Sequence, residues 1–261
     1  MIHIDQYAYA NRLRAVHPGE KLAFAAITAG ICLASPSLIG QLAILMTMAV
    51  ATVTMVGIPW RFYLKLMLVP AAFLLAGVVT VAVSFSPQLD PGLHGVELWG
   101  FAVGIRDRDF VVASSLVARS LGTVSCLYFL SLSTPMVEII GVLRRCRVPA
   151  TMVELMTITY RFIFVLMETT QQIHTAQVSR LGYRSLSASY RDLGQLTSCL
   201  FQRSILRSRM LFVALSSRCY SGEIRVLEPW HRLSLRNAFI IGGIDGVLLA
   251  VVLATGGWQR W

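Results

Sequence analysis

The chain has 261 residues, of which 56% are apolar and 14% are charged, and its formal net charge is +10. Globular domains are about 45–50% apolar and about 25% charged, so this composition excludes intrinsic disorder and argues against an ordinary soluble enzyme. A basic chain often binds nucleic acid, but here the basic residues lie between long apolar runs. The composition therefore favours a membrane protein with a basic cytoplasmic face.

The first third of the chain is predicted to contain three membrane-spanning helices. A spanning helix needs about 20 mostly apolar residues, and the 39 residues between Lys21 and Arg61 carry no charge. Pro36 lies in the middle of this run, and a proline inside a helix is costly, so the run is interpreted as a helical hairpin. A further 24 uncharged residues follow Lys65 and predict a third span. The predicted bounds of the three spans are 20–35, 38–57 and 66–86.

Two more spans are predicted in the rest of the chain. Segment 87–109 is rich in proline and glycine, which is typical of a loop. A fourth span is predicted over 110–133, with Arg119 as its one charge, and a fifth over 237–257.

The fifth span contains a single acid, Asp245. An ionisable group inside a span is by default a hypothesis for a functional site. Gly242, Gly243 and Gly246 surround Asp245, and glycines let another helix approach closely. Asp245 is therefore expected to be an intramembrane helix-contact site.

The region 136–236 differs from the rest, since it holds 14 of the 23 basic residues. It is predicted to form two long helices with the approximate bounds 150–181 and 188–220. Ser187 is the predicted N-cap of the second helix. Segment 150–167 is apolar but contains Glu154 and Arg161, and a central arginine costs about 2.5–3.5 kcal/mol in a bilayer. It is therefore interpreted as a helix lying against the membrane bundle.

The basic residues also predict the orientation, because cytoplasmic loops carry an excess of Lys and Arg. By this rule the N-terminus and the region 136–236 are cytoplasmic, and the C-terminus lies outside. The sequence thus predicts an all-α polytopic membrane protein with about five transmembrane helices plus long cytoplasmic helices. The predicted regions are an N-terminal transmembrane bundle, a cytoplasmic region and a C-terminal transmembrane helix, with the bounds 1–135, 136–236 and 237–261.

Both predicted long helices end in a similar string. The strings read AQVSRLGY over 176–183 and ALSSRCYSG over 214–222. One explanation is structural, since a cation in the last turn complements the helix dipole by about 0.3–1 kcal/mol, and glycines such as Gly182 and Gly222 commonly end helices. The repetition favours a second explanation, in which Arg180 and Arg218 present guanidinium groups to grooves on a soluble partner.

These arginine-centred ends resemble the paired Ala-Arg-Gly-type signatures of the T components of energy-coupling factor transporters. Other strings resemble the cobalt branch, the CbiQ family, over most of the chain. They read IDQYAY (4–9), NRLR (11–14), HPGEKL (17–22), RSL (119–121), LSLSTPM (130–136), LRRCRVP (143–149) and YRFIFVL (160–166). The signatures here read Ser-Arg-Leu and Ser-Arg-Cys, so the central arginine is kept and the flanking residues differ.

The resemblance implies a scaffold in the plasma membrane of a bacterium. In that family the T component joins a substrate-binding, CbiM-like membrane subunit to two cytoplasmic CbiO-like ATP-binding-cassette subunits. The expected cargo is cobalt ion, with nickel or a vitamin as alternatives because another subunit selects it. The implied ATPase-coupling residues are Arg180 and Arg218 with their neighbours Ser179, Leu181, Ser217 and Cys219.

Motifs for catalysis or cofactor binding are absent from the sequence. It contains no G-x-x-x-x-G-K-[ST] and no H-E-x-x-H, and its five histidines and five cysteines are scattered without metal-site spacing. We expect a non-catalytic subunit with no cofactor, no metal site and no nucleic-acid partner, embedded in a lipid bilayer. An intramembrane lipid or prenyl transferase and a membrane adaptor without a transport cycle remain as alternatives.

Overall fold

The computed structural model describes residues 7–82, 84–86, 93–98, 101–220 and 235–255. In this part of the chain the long elements are helices, and a small sheet lies between the third and the fourth. In chain order the elements are α1 (Pro18–Ala34), α2 (Leu38–Val50), α3 (Trp60–Ala82), β1 (Ser84–Ser86), β2 (Leu93–Leu98), β3 (Phe101–Arg106), α4 (Asp107–Ser133), α5 (Met136–Arg145), α6 (Ala150–Ser179), α7 (Leu186–Ser216) and α8 (Leu235–Ala254).

The predicted fold class, an all-α polytopic membrane protein, is confirmed. Among the described residues, four helical segments are long and apolar enough to cross a membrane, namely Leu38–Val56, Trp60–Val78, Val112–Ser133 and Ala150–Ser179. The first three overlap the predicted second, third and fourth spans. The apolar part of α8, Phe239–Ala254, is shorter. By length and composition α6 also qualifies as a span, so its predicted place against the bundle stays a prediction.

Two helix starts differ from the predicted ones. Helix α3 begins at Trp60, ahead of the predicted start at 66, so that Arg61 and Lys65 lie in its first turns. A long basic side chain does not end a helix, since its charged head can extend toward water. Helix α7 is capped by Ser185, whose hydroxyl accepts from the Ala188 N–H at 3.2 Å, and the predicted N-cap Ser187 lies inside the helix.

The predicted loop over 87–109 is wrong for the parts that the structure describes. Strand β3 pairs antiparallel with both β1 and β2, in the order β1-β3-β2. Two of the glycines that favoured a loop, Gly95 and Gly104, lie within the strands and pair with each other. Glycine weakens a strand but does not forbid it.

The chain divides into two compact units. One contains residues 1–139 with 230–261, and the other contains residues 140–229. In the first unit, α4 packs against α1, α2 and α3, and α8 packs against α1 and α2. The buried core of this unit includes Phe24, Ile44, Met48, Phe129 and Leu132.

The turn between α1 and α2 is held by polar side chains from two helices. The carbonyl oxygen of Ser35 accepts from Gln41 Nε2 at 2.7 Å and from Arg119 Nη2 at 3.2 Å. Ser35 is fully buried, and a buried carbonyl freed at a helix end must find a partner within the protein. Arg119, the one charged residue of the fourth predicted span, therefore stabilises the turn predicted at Pro36.

Helix α4 approaches α1 closely at Gly122. A Cβ atom added there would lie 2.7 Å from Cys32 Sγ and 3.5 Å from the Gln41 carbonyl oxygen. Cys32 itself is fully buried. Small residues at such crossings are typical of membrane helices, because packing rather than hydrophobic exclusion drives their association.

We expect Gly122→Val to lower the free energy of unfolding by about 1–3 kcal/mol, since overpacking a close helix crossing is costly. The measurement is thermal unfolding of the purified chain in detergent. Gly77→Val on α3 is the matched control, because an added Cβ at Gly77 meets nothing within 4 Å. Equal effects of the two substitutions would contradict the close approach at Gly122.

Candidate functional site

Arg180 lies at the end of α6 in a tight helix-closing turn. Its backbone is at φ −93° and ψ 18°, and the next residue, Leu181, has a left-handed φ of 62°. The Gly182 N–H donates to the Gln177 carbonyl oxygen at 2.9 Å. A left-handed residue followed by this six-to-one hydrogen bond is the Schellman motif, which satisfies carbonyls at the end of a helix.

Arg218 lies in a turn of the same geometry at the end of α7. Cys219 has a φ of 56°, and the Tyr220 N–H donates to the Leu215 carbonyl oxygen at 3.1 Å. In both turns an arginine directly precedes the left-handed residue. The repeat that the sequence shows over 38 positions is therefore also a repeat of backbone conformation.

The glycine expected to end α6 has a different role. Leu181, rather than Gly182, adopts the left-handed conformation, so the predicted stop is misplaced by one residue. Gly182 is needed because an added Cβ would lie 2.6 Å from Asp192 Oδ2 and 2.8 Å from the Gln177 carbonyl oxygen. Gly222, the stop predicted for the second helix, lies outside the described residues.

All six residues expected to couple to ATPases are exposed in the structure. They are Ser179, Arg180, Leu181, Ser217, Arg218 and Cys219. Exposed guanidinium groups on closed helix ends can donate to carboxylates or carbonyls of another protein. The structure thus makes both arginines available for a partner.

The two arginine ends lie far apart along the helix pair. The Tyr220 hydroxyl donates to Glu154 Oε2, so the end of α7 returns to the beginning of α6. This hydrogen bond raises the pKa of the Tyr220 phenol because it stabilises the protonated form. Helices α6 and α7 have 30 and 31 residues, and at 1.5 Å per residue each is about 45 Å long.

A third helix end shares this geometry and was not singled out from the sequence. Arg147, after α5, has a φ of 62°, and the Val148 N–H donates to the Leu143 carbonyl oxygen at 3.4 Å. The sequence signal was present in the string LRRCRVP. It lacks the small residues before the arginine that drew attention to the other two ends.

Asp245 is buried at the contact between α8 and α1. Its Oδ1 lies 2.8 Å from Thr28 Oγ1, and Thr28 Oγ1 also lies 2.8 Å from the Phe24 carbonyl oxygen. A hydroxyl carries one hydrogen, and the carbonyl can only accept. The Thr28 hydroxyl therefore faces both oxygens as the donor and shares its one hydrogen between them.

The glycines beside Asp245 do not form the close contact expected of them. A Cβ added at Gly242, Gly243 or Gly246 would meet nothing within 4 Å among the described residues. Within the described residues the helix approach at Asp245 therefore rests on the hydrogen bond from Thr28, and an approach of another helix at these glycines stays a prediction.

A buried polar cluster near the end of α4 was missed in the sequence. The Ser133 carbonyl oxygen accepts from Lys21 Nζ at 3.0 Å and from Asn11 Nδ2 at 2.8 Å. Asn237 Nδ2 of α8 donates to Glu20 Oε2 at 3.3 Å. The sequence did contain a signal for this cluster, because Lys21 lies within the predicted first span. The cluster joins three of the strings that carry the family resemblance.

Metal-ligating side chains are dispersed in the described part of the chain. There, no group of three or more His, Cys, Asp or Glu residues is placed to hold a metal ion. Cys32 and Cys126 are buried free thiols, and Cys146, Cys199 and Cys219 are exposed free thiols.

We expect Leu181→Gly to raise the free energy of unfolding by about 0.5–1 kcal/mol. The left-handed conformation costs a non-glycine residue about 1–2 kcal/mol, and glycine avoids this cost. Part of the gain is offset because glycine loses more conformational entropy on folding. Leu181 is 68% exposed, so little burial is lost. Leu181→Val should be the least stable, because a β-branched residue tolerates this conformation poorly. Thermal unfolding in detergent measures the stabilities of the variants. A Gly variant that is less stable than the Val variant would contradict the prediction.

We expect Asp245→Asn to be tolerated, because an asparagine has the shape of an aspartate and keeps an Oδ1 that can accept from Thr28 Oγ1. Asp245→Ala should lower the free energy of unfolding by about 1 kcal/mol, the size of an interhelical hydrogen bond in a membrane. Thermal unfolding in detergent compares the two. An Asn variant as unstable as the Ala variant would contradict the hydrogen bond from Thr28.

Comparison with known proteins gives the family. The model of the CbiQ family, described as cobalt transport protein, matches residues 10–229. The chain is 32% identical to the cobalt transport protein CbiQ of Salmonella typhimurium over 64% of this chain and 74% of the relative. It is 30% identical to the CbiQ protein of Rhodobacter capsulatus over 82% of each chain.

A third relative carries the same region within a longer chain. It is described as a fused cobalt transport protein CbiMQ, from Methanocorpusculum labreanum, and is 29% identical over 96% of this chain and 42% of its own length. The family model covers most of the chain, including both arginine ends and the residues Asn11, Lys21 and Ser133 of the polar cluster. The chain therefore belongs to the CbiQ family of cobalt transport proteins.

Proposed function

We propose that this chain is the transmembrane T component of an energy-coupling factor importer that takes up cobalt ion. In this role it couples ATP hydrolysis by two cytoplasmic ATPase subunits to reorientation of a substrate-binding membrane subunit. It carries out no catalytic step itself. The observation that supports this proposal best is the pair of exposed arginines in identical helix-closing turns.

The spacing of the two arginines suits a pair of ATPase subunits. Arg180 and Arg218 lie at opposite ends of helices about 45 Å long, so a single groove cannot hold both. Each end would occupy a groove on one ATPase subunit, where the guanidinium donates to carboxylate or carbonyl oxygens. Two like sites far apart are what a scaffold for two copies of one partner requires.

The stiffness of the helices supplies the coupling. A continuous α-helix has its backbone hydrogen bonds paired internally, so it moves as one body when an end is displaced. If ATP binding draws the two ATPase subunits together, the arginine ends move with them. The displacement passes along α6 and α7 and reaches the substrate-binding subunit.

The membrane arrangement follows the distribution of basic residues. We place the protein in the plasma membrane of a bacterium, with the N-terminus and the region 136–236 in the cytoplasm and the C-terminus outside. The fused CbiMQ relative supports a CbiM-like substrate-binding subunit as the membrane partner. A single chain containing both parts keeps them adjacent in one membrane.

The proposal is tested with Arg180→Glu and Arg218→Glu in the chain co-expressed with the ATPase and substrate-binding subunits of the same organism. We expect each substitution to weaken ATPase binding by roughly thirtyfold, which corresponds to about 2 kcal/mol at an interface hot spot. ATP-dependent uptake of cobalt into proteoliposomes should fall with it. Copurification and uptake are the two measurements.

The matched control is Arg203→Glu, which makes the same charge change at an exposed site of α7 away from both ends. It should leave ATPase binding near the wild-type level. Full copurification and uptake in the Arg180 and Arg218 variants would refute the coupling role. Uptake of nickel in preference to cobalt by the same proteoliposomes would refute cobalt as the cargo.

A further inference from the structure

The turn that carries Arg180 is attached to α7 through one residue, Asp192. The Tyr183 N–H donates to Asp192 Oδ2 at 3.3 Å. Gln177 Nε2 donates to the Asp192 carbonyl oxygen at 2.9 Å. Gln177 and Tyr183 lie three residues before and three residues after Arg180, so both sides of the arginine are fixed to the same residue.

The turn is also closed on itself around Asp192. The Tyr183 hydroxyl donates to Gln177 Oε1 at 2.9 Å, and the Tyr183 ring lies against the His174 ring with their centroids 5.0 Å apart. Gly182 fits because any larger residue would place its Cβ 2.6 Å from Asp192 Oδ2. The carboxylate thus occupies the space that the turn encloses.

The backbone of this turn needs such support. Leu181 and Tyr183 both have left-handed conformations, with φ values of 62° and 63°. Each costs a non-glycine residue about 1–2 kcal/mol, and such strain persists only where the surroundings hold it in place. Because the Tyr183 N–H is one of the groups bound by Asp192, the carboxylate stabilises the strained conformation directly.

The second arginine end has a corresponding attachment. Tyr220 follows Arg218 by two residues, and its hydroxyl donates to Glu154 Oε2 of α6. Glu154 is buried, at 8% exposure. At each end, therefore, a tyrosine just after the arginine is held by a carboxylate that belongs to the other long helix.

We propose that Asp192 and Glu154 are positioning residues, which hold the turns of Arg180 and Arg218 in the conformation that an ATPase groove accepts. The inference rests on the proposed function, since it assigns these carboxylates an effect on ATPase binding through the arginines. Neither carboxylate needs to touch the partner. Each fixes the direction in which its arginine leaves the helix end.

The test compares Asp192→Ala with Asp192→Asn in the complex co-expressed with its ATPase subunits. The Ala variant loses the acceptor for Tyr183 N–H, and we expect ATPase affinity to fall roughly three- to tenfold, the usual worth of one hydrogen bond. The Asn variant keeps an oxygen acceptor and should recover most of the affinity. Glu168→Ala removes an exposed carboxylate of α6 and should change nothing.

Two further readouts separate positioning from a general loss of structure. Hydrogen exchange of the amides in 180–184 should quicken in Asp192→Ala, while exchange in the middle of α7 stays unchanged. In an Arg180→Ala background the Asp192→Ala substitution should have no further effect on ATPase affinity, because a residue that acts through another is silent once that residue is gone. Tyr220→Phe, which removes only the hydroxyl bound to Glu154, should lower affinity at the Arg218 end by a similar factor.

The outcomes distinguish this inference from the proposed function. If Arg180→Glu abolishes ATPase binding but Asp192→Ala leaves it unchanged, the positioning role is refuted and the coupling role stands. If Arg180→Glu has no effect on binding, both are refuted. An Asp192→Ala effect that persists undiminished in the Arg180→Ala background also refutes positioning, since Asp192 would then act independently of the arginine.

Discussion

The unit over residues 1–139 and 230–261 depends on one constraint, namely that a carbonyl freed at a buried helix end must be paired by the protein itself. Where α1 ends, the Ser35 carbonyl oxygen receives donors from Gln41 and Arg119. Where α4 ends, the Ser133 carbonyl oxygen receives donors from Asn11 and Lys21. At each helix end, hydrogen bonds therefore join segments that are distant in the sequence. Arg119 and Lys21, the charged residues within predicted spans, are donors at these two ends.

The unit over residues 140–229 solves the same problem in another way. Its helices end in Schellman turns, so their last carbonyls are satisfied by the backbone that follows rather than by distant side chains. This local solution leaves the ends of α6 and α7 free to present Arg180 and Arg218. It also requires left-handed residues at Leu181 and Cys219, and the tyrosines that follow them, Tyr183 and Tyr220, are hydrogen-bonded to the neighbouring helix.

Three acids of this protein hold helices and turns. Asp245 joins α8 to α1 through Thr28, Asp192 fixes the turn after α6, and Glu154 binds the tyrosine after Arg218. In a chain with 23 basic and 13 acidic residues, carboxylates in such places fix local geometry and leave the arginines at the helix ends available. Carboxylates that fix geometry and arginines that stay exposed fit a subunit whose proposed function is to transmit motion.

The sequence by itself determined the all-α membrane class, the hairpin break at Pro36, the two long helices and the two arginine ends, because apolar run length, proline and local repetition are properties of neighbouring residues. Tertiary structure alone decided the small sheet over parts of 84–106, the partner of Asp245, and the roles of Gly182 and Asp192. Gly182 resembled a helix stop in the sequence, yet its size is dictated by Asp192, ten residues further on. Such contacts arise only when α7 folds back on the end of α6, and no local pattern encodes the distance between two side chains across that turn.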